Sequence, residues 1–533
     1  MTGSSCALGG GINQRYLCKE KNLMKYNIAS LLFIILIGAS CSSSKKTTTT
    51  GTDDGMISIN FVQINDVYEI APLNSGKDGG MARVATIKKK YLRENSNTYL
   101  LMAGDFLSPS VYNSLPYEGK AIRGRQMVEV MNAAGMDIAV FGNHEFDIKE
   151  AELQARINES HFDWISSNSF HKQGENISAF EKNKNPIPES WIKTYTDADG
   201  TTFKVGFIGL NIPFTKNAYV TYTDPLAAAK KLYALLKDSV DAVVAITHQA
   251  IQDDEILAKE IPGLALIIGG HEHDQRFEKI GGIFITKAMA NAKSAYILKM
   301  TFNKRKHKVS VTATLEVLDE NVPLDSTTNA VVQKWGNIAN NSYAALGFDA
   351  GKIVMTNGEP LDGRETEIRS HATNLTKMIV KAMQFASKQA DVVIMNAGSI
   401  RVDDVLQMPV TQYDILRTLP FGGGVKEVDM KGSLLVQILD AGLKNYRIGG
   451  YLHYNENLHR DDASAKWLLN GTAIDDIKIY HVAITEFMLT GGEANLGFVK
   501  PDNPAITKVY ELPALDIRSD IRKVILYYLE KGR

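Results

Sequence analysis

One pattern constrains the fold of this chain most: short apolar runs that each end in a turn made of Gly, Asp, Asn or His. In its clearest copy, apolar residues 138–141 lead into residues 142–147 (GNHEFD), after a helical pattern that stops at Gly135. Runs of this length are typical of buried strands, and their alternation with helical patterns indicates a layered α/β domain. Because ligands collect beyond the carboxyl ends of strands in such sheets, the pattern predicts a site at these turns.

Four further apolar runs end in the same way. The predicted strands 57–64, 98–102, 243–246 and 264–268 lead into turns that contain Asp66, Asp105, His248, His271 and His273. Carboxylates and imidazoles suit Zn²⁺, Mn²⁺ and Fe²⁺, and an Asp can bridge two ions. Glycine before Asp105, Asn143 and His271 lets the backbone turn sharply. The ordered set therefore predicts a centre for two divalent metal ions.

The N-terminus has the composition of a targeting signal. Lys25 precedes apolar residues 28–37, which are too few to span a bilayer, and small residues precede Cys41 as in a bacterial lipobox. We predict that residues 1–41 are a leader starting at Met24, that Cys41 is lipidated, and that the protein is a periplasmic or surface lipoprotein of a bacterial cell envelope. The alternative is an ordinary cleaved signal with an incidental cysteine. Residues 42–55, rich in Ser and Thr, are predicted to be a flexible tether.

Charge and cysteine content exclude several kinds of function. The formal net charge of −1 over 533 residues argues against nucleic acid polymers as partners and against a membrane contact other than the lipid anchor. The three cysteines are Cys6, Cys18 and Cys41, so the folded part has no disulfide, thiolate ligand or cysteine nucleophile. We expect a monomer with a small-molecule substrate.

A second domain is predicted after a long helix. Residues 325–346 have helical spacing with Asp325 or Ser326 as the cap, which makes 324–347 a linker helix between a catalytic domain, 56–323, and a C-terminal domain, 348–533. A strand over 391–395 then leads into Asn396 and Arg401, which suit a polar, anionic small molecule. The alternative for Arg401 is a surface ion pair.

Two phenylalanines of this second domain stand beside glycines. Phe421 precedes Gly422, and Phe487 lies just before Gly491. A planar base could stack between rings left open in this way. From the pattern alone, core positions for both rings are an equal alternative.

These motifs resemble those of the calcineurin-like metallophosphoesterases, in particular the bacterial periplasmic and animal ecto-5′-nucleotidases. The family pattern runs DxH, GD, GNHE followed by FD, a His after a strand, and GHxH. The resemblance implies an α/β fold (α+β layered) with a four-layer catalytic domain of two packed mixed sheets and a 5′-nucleotidase-type C-terminal domain. It implies hydrolysis of nucleoside 5′-monophosphates or related nucleotides by metal-activated water.

The resemblance also implies the roles of the catalytic residues. One metal ion would be held by Asp66, Asp105 and His273, and the other by Asp105, Asn143, His248 and His271. His144 would face the scissile phosphate, oriented by Asp147, although Asp147 could also be a helix N-cap. The family has a His where this chain has Tyr68. The first metal site is therefore either weakened and remodelled or completed by a tyrosine ligand.

In the C-terminal half the resemblance rests on NAGSIR, on PFG and on the segment that ends in GGE. It implies that substrate is contacted by Arg369, Asn396 and Arg401, and that Phe421 and Phe487 sandwich the base. Glu493 would contact the ribose hydroxyls, but the family has Asp there, which leaves the sugar preference open. Arg369 lies outside the three motifs.

Two other functions remain open. Nucleotide-sugar or 2′,3′-cyclic nucleotide phosphodiesterases use the same fold. This alternative stays open because the metal ions do not distinguish these esters. A non-catalytic nucleotide-binding lipoprotein would result if Tyr68 disables the first ion. Metal content separates the binding protein from the enzyme.

Overall fold

The computed structural model describes residues 53–214, 217–513 and 515–532. The predicted leader with Cys41, and the tether up to residue 52, lie outside these residues. Residues 53–55, expected at the end of the tether, already contact the domain, since Thr201 Oγ1 donates to Asp53 at 2.6 Å. Within the described part of the chain, no helix combines the length and apolar character needed to cross a bilayer.

Two mixed six-stranded sheets form the centre of the N-terminal domain. The strands of the first sheet are, in spatial order, Lys308–Val317, Ser294–Asn303, Met56–Ile64, Thr98–Ala103, Ile138–Val140 and Asp163–Ile165. Those of the second sheet are Ser190–Thr196, Thr202–Asn211, Ala242–His248, Leu266–Gly270, Ile283–Lys287 and Arg276–Ile280. Phe61 of the first sheet and Phe207 of the second lie in one buried core, with their rings 5.8 Å apart. The two sheets therefore pack face to face.

Helices cover the outer face of each sheet. The first sheet is covered by Met81–Glu94, Arg125–Ala134, Glu150–Glu159 and Ser326–Ala345, and the second by Pro225–Leu236 and Ile251–Glu260. Gly135 ends its helix in a left-handed conformation with φ 72°, as the sequence predicts. The four-layer arrangement of two sheets between helices is confirmed.

The linker helix begins and ends close to its predicted bounds. It spans Ser326–Ala345, and Asp325 caps it by accepting a hydrogen bond from the Thr328 backbone N–H at 3.0 Å. Trp335 is fully buried in the core that covers the first sheet. Its indole N–H donates to Glu129 at 3.1 Å. The helix is therefore part of the catalytic body rather than a free connector.

The C-terminal domain is built on a five-stranded sheet. Its strands are, in spatial order, Leu452–Tyr454, Val392–Asn396, Ile479–Thr485, Val425–Lys431 and Ile506–Val509. Helices Asn374–Ala386, Gln412–Thr418 and Ile521–Lys531 pack on one face, and Gly432–Lys444 packs on the other. The described residues of both domains belong to one compact unit.

The remaining elements are short. The short α-helices are Glu365–Ile368 and Glu486–Leu489, and the 3₁₀ helices are His144–Asp147, Lys304–Lys306, Ala397–Ser399 and Ile517–Ser519. The short strands are Pro116–Tyr117, Lys120–Ala121, Ser169–Gln173, Asn176–Ser178, Glu181–Lys182, Asn185–Pro186, Val220–Tyr222, Ile353–Met355, Leu361–Asp362, Val405–Leu406, Val410–Thr411, Leu458–Asp461, Lys466–Leu469 and Thr472–Ala473.

Candidate metal centre between two domains

The side chains predicted to bind metal meet at the carboxyl ends of the central strands. Asp66 and Asp105 lie two residues beyond their strands, and His248 is the last residue of its own. One ligand atom from each of these three residues lies within 4.8 Å of the other two, and all three side chains are buried. The structure thus brings these three predicted residues together, while their role as ligands stays a prediction.

Backbone strain is concentrated at the same turns. Asp66, Asp105 and His271 have φ values of 52°, 56° and 88°, in a region that residues other than glycine rarely adopt. Gly142 is required by close packing, because a Cβ there would lie 2.2 Å from Asp105 Oδ1. Packing of the surrounding fold therefore stabilises unfavourable backbone conformations at the residues that carry these side chains.

The two buried carboxylates attract positive charge. Ala103 O accepts a hydrogen bond from His248 Nδ1 at 2.8 Å, which directs Nε2 to within 3.1 Å of Asp105 Oδ2. Burial lowers the pKa of His248, but the charges of Asp105 and Asp66 outweigh burial and raise that pKa to about 9. A divalent cation supplies the same positive charge and would displace the proton.

The donor set fits a metal ion. Tyr68 Oη lies 3.1 Å from Asp105 Oδ2, 3.4 Å from Asp66 Oδ1 and 3.0 Å from His273 Nε2. One hydroxyl proton cannot satisfy both carboxylates, whereas a cation among them would. In addition, the buried Asn143 Oδ1 has no hydrogen-bond partner within the described residues. Both options for Tyr68, a remodelled site or a tyrosine ligand, are compatible with this placement.

The predicted catalytic pair is in hydrogen-bond contact. His144 Nδ1 lies 2.6 Å from Asp147 Oδ2, so the carboxylate favours the tautomer with the proton on Nδ1. The His144 backbone N–H donates to Asp105 Oδ1 at 2.8 Å, which ties this turn to the metal cluster. Asp147 does not cap the next helix, because the N-cap of that helix is Lys149.

The C-terminal domain closes the site. Arg401 Nη2 lies 3.2 Å from His144 Nε2, and His273 Nδ1 forms an ion pair with Asp403. A cleft lies between the domains, and it is lined by Tyr68, Asp105, Pro109, His144, His271, His273, Glu365, Arg401 and Asp403. Although burial raises the pKa of Asp403, the charge of His273 lowers it to about 2. Metal-binding and substrate-binding motifs thus face one space.

The other predicted substrate residues differ in their surroundings. Asn396 is buried and donates from Nδ2 to Glu493 Oε2 at 2.6 Å. Phe421 and Phe487 are 65% and 49% exposed, which fits rings available to a ligand and not core positions. Arg369 pairs with Glu365, which lines the cleft.

Three charged residues near the site have no role in the sequence prediction. The Glu145 carboxylate accepts backbone N–H bonds from Asp105, Phe106, Leu107 and Gly142 at 2.6–3.0 Å, and so joins two site turns. Lys287 is buried against Asp254 and Glu272. Asp403 binds His273 from the other domain. Glu145 belongs to a motif and could have been found, but the partners of the other two are distant in sequence.

The comparisons with known proteins agree with this geometry. Residues 59–275 match the family profile described as calcineurin-like phosphoesterase, and residues 352–499 match the 5′-nucleotidase, C-terminal domain. The 5′-nucleotidase of Bos taurus is 23% identical over 467 residues, which cover 78% of each protein. The trifunctional nucleotide phosphoesterase protein YfkN of Bacillus subtilis is 25% identical over 437 residues, 74% of this chain and 28% of that protein.

A solved structure shares the fold over nearly the whole chain. The 5′-nucleotidase precursor from Thermus thermophilus superposes with a TM-score of 0.68 at 20% identity, and the match covers 89% of this chain and 97% of that one. The fold of this chain is therefore a known one.

Proposed function

We propose that this chain hydrolyses nucleoside 5′-monophosphates or related nucleotides to nucleoside and phosphate. The chain belongs to the calcineurin-like phosphoesterases that carry a 5′-nucleotidase C-terminal domain. The observation that carries the proposal is the cluster of Asp66, Asp105 and His248, of which Asp105 lines the same cleft as Arg401 of the other domain. Metal ions held by this cluster and a guanidinium group at the same cleft would suit a phosphate ester.

Enzymes of this family use divalent metal ions, and we assign two to this chain, with Zn²⁺, Mn²⁺ or Fe²⁺ as candidates. The first would be held by Asp66, Asp105 and His273, with Tyr68 beside them, and the second by Asp105, Asn143, His248 and His271. When bound, such ions supply positive charge for the phosphate oxygens and lower the pKa of a water molecule.

The chain's own groups would complete the chemistry. Arg401 would bind the phosphate from the C-terminal side, since its guanidinium already reaches His144. Asp147 would keep the proton on His144 Nδ1, so that Nε2 faces the reacting phosphate. As an imidazolium, with a second proton on Nε2, His144 would stabilise the developing charge or deliver that Nε2 proton to the departing ribose oxygen.

The C-terminal domain would select the nucleotide. Phe421 and Phe487 would hold the base between them, which their exposure supports. Arg369, Asn396 and Glu493 would contact the polar part of the substrate. Because Asn396 already binds Glu493, substrate hydroxyls would have to share or displace that hydrogen bond.

We also propose the domain limits and location given by the sequence. The catalytic domain would be residues 56–323, the linker helix 324–347 and the C-terminal domain 348–533. The monomer would be attached to a membrane of the bacterial envelope by a lipid on Cys41. Mass spectrometry of the membrane fraction would detect the lipid, and a protein cleaved without acylation would contradict it.

The test combines metal analysis with phosphate release. The purified chain is expected to contain two divalent ions, to release phosphate from AMP or another nucleoside 5′-monophosphate, and to lose this activity to a chelator. His144→Asn should retain the metal ions but lower kcat by about 10²–10⁴-fold. The matched control, His161→Asn, changes an exposed side chain and should leave kcat unchanged. A metal-loaded protein with no nucleotide turnover would contradict the proposal.

A second candidate function is favoured by Tyr68. Its hydroxyl lies among the groups predicted to hold the first ion, and a protein that keeps one ion or none would be a nucleotide-binding lipoprotein.

Rates on UDP-glucose and cyclic AMP isomers, measured beside AMP, would distinguish the phosphodiesterase alternative.

A further inference from the structure

A short segment of the C-terminal domain, residues 401–404, touches the catalytic domain at the metal centre. Its first residue, Arg401, reaches His144, and Asp403 forms an ion pair with His273 Nδ1. Both partners belong to turns of the catalytic domain that line the cleft. The segment therefore links the position of the C-terminal domain to two functional side chains of the other domain.

Asp403 is itself held firmly in its own domain. One of its carboxylate oxygens accepts the backbone N–H of Glu365, and the other is bound to His273. Its backbone has a φ of 35°, a left-handed conformation that costs energy in a residue other than glycine. The neighbouring Val402 is buried in the core of the C-terminal domain. The carboxylate is thus presented to the catalytic domain by a rigid support.

The contact determines how His273 presents its ring. A carboxylate at Nδ1 favours the proton on that nitrogen and leaves Nε2 as the nitrogen with a free lone pair. Nε2 points to the metal cluster, 3.4 Å from Asp66 Oδ1 and 3.0 Å from Tyr68 Oη. Both of these polar contacts with the catalytic domain are at Nε2. The group that orients the ring at Nδ1 comes from the other domain.

We propose that Asp403 is a positioning residue that makes His273 a ligand of the first metal ion, so that this ion is held tightly only while Asp403 of the C-terminal domain contacts His273. The inference rests on the proposed function, because it takes the cluster to be a metal centre. Residues 401–404 would then do two things at once: Arg401 stands beside His144 at the phosphate site, and Asp403 orients a ligand of one ion. The second ion, whose predicted ligands include His248 and His271, does not depend on this contact.

Binding of Mn²⁺ or Zn²⁺ to the full-length, metal-free protein tests the inference without any nucleotide. Asp403→Ala should weaken one of two ion-binding steps by about 10–100-fold, as loss of a group that orients a metal ligand does, and leave the other unchanged. Asp403→Asn keeps an acceptor for Nδ1–H and should lose less. Each variant replaces a single side chain at the cleft. Circular dichroism shows whether each one folds as wild type does.

The matched control lies in the same segment. Asp404 pairs with Lys293 of the catalytic domain at 2.6 Å and does not contact His273. Asp404→Asn should therefore remove an ion pair between the domains and leave both ion affinities unchanged. Equal weakening in Asp404→Asn and Asp403→Asn would show that general loosening of the domains is responsible, and would overturn the proposal.

A double-mutant cycle separates positioning from a structural role. If Asp403 acts through His273, then Asp403→Ala should have no further effect on ion affinity in a His273→Ala background. A full additional loss there, or wild-type affinity of both ions in Asp403→Ala, would overturn the inference alone. A wild-type protein that binds no divalent ion would overturn the inference together with the metal-dependent function. A protein that binds both ions in the expected way but hydrolyses no nucleotide would overturn only the function.

Discussion

Replacement of Lys287 by Met tests a buried charge network that supports the metal centre. Lys287 and Asp254 have fully buried side chains, and their Nζ and Oδ2 atoms lie 2.9 Å apart. Lys287 also binds Glu272 and donates to Gln249 O at 2.5 Å. Gln249 follows His248, and Glu272 stands between the other two predicted histidine ligands. One ammonium group therefore ties together the two turns that carry three predicted ligands.

The magnitude follows from what Lys287→Met leaves behind. Met keeps the length and apolar stem of the side chain, so the main change is an unpaired carboxylate on Asp254, which Gln249 Nε2 still contacts at 3.1 Å. Removal of one partner from a buried ion pair costs about 3–5 kcal/mol. We expect this loss in the free energy of unfolding, measured from urea titration. We also expect weaker ion binding, because the two turns lose their common anchor.

A second variant isolates the charge. Lys287→Met with Asp254→Asn leaves a neutral amide, so it should regain about 2 kcal/mol or more relative to Lys287→Met alone. The penalty of the single variant should also shrink in acid. Burial already raises the pKa of Asp254, and loss of Lys287 raises it further, so the carboxylate takes up a proton as the pH falls. A single variant less than about 1 kcal/mol below wild type, or a double variant as unstable as the single, would refute the reasoning.

Three further predictions concern other parts of the chain. Burial lowers the pKa of His453 to about 4. The unfolded chain, with a histidine pKa of about 6.5, therefore binds more protons as the pH falls from 6.5 to 4, and wild type should lose about 2 kcal/mol more stability than His453→Phe between pH 7 and 4.5; equal losses would contradict this. Asp325→Ala removes the N-cap of the linker helix and should lower the urea midpoint by an amount equivalent to about 1 kcal/mol, whereas an unchanged midpoint would show that the cap is dispensable. Glu145→Gln turns an amide N–H₂ toward backbone donors, so calorimetry should show a stability loss of about 1–3 kcal/mol and weaker ion binding, and wild-type values for both would count against this role.

The strands and turns of the site are predictable because their signals are local. An apolar run that ends in Gly-Asp or Gly-Asn-His needs only neighbouring residues to define a strand and its turn, and the strand ending at Ala103 before Asp105 is one such case. Parallel strands then bring the turns of Asp66 and Asp105 to one edge of the first sheet, and the turn after His248 belongs to the second sheet. The cap at Asp325 is equally local. For this reason the fold class and the turns that carry Asp66, Asp105 and His248 are predictable from local sequence, whereas the meeting of His248 with the two carboxylates depends on how the sheets pack.

Contacts between distant segments are not predictable in the same way. Trp335 lies on the apolar face of a correctly predicted helix, but the spacing does not say which domain that face covers. Lys287 resembles an exposed residue at a strand end, although it is fully buried among carboxylates. Asp403 and His273 are far apart in the chain, and no local pattern connects them. Such pairings depend on how domains and sheets pack, and the spacing of apolar residues along one sequence does not show that packing.

The departure from the family pattern at Tyr68 is best understood through charge balance. Asp66 and Asp105 are both buried, and the hydroxyl of Tyr68 carries one proton that only one of them can accept. A histidine at this position could be protonated and add a positive charge, whereas a neutral phenol cannot. The carboxylates must then be balanced by His248 and His273 as cations or by a metal ion. Replacement of the family histidine by tyrosine therefore changes the shell of the first site but leaves its demand for positive charge.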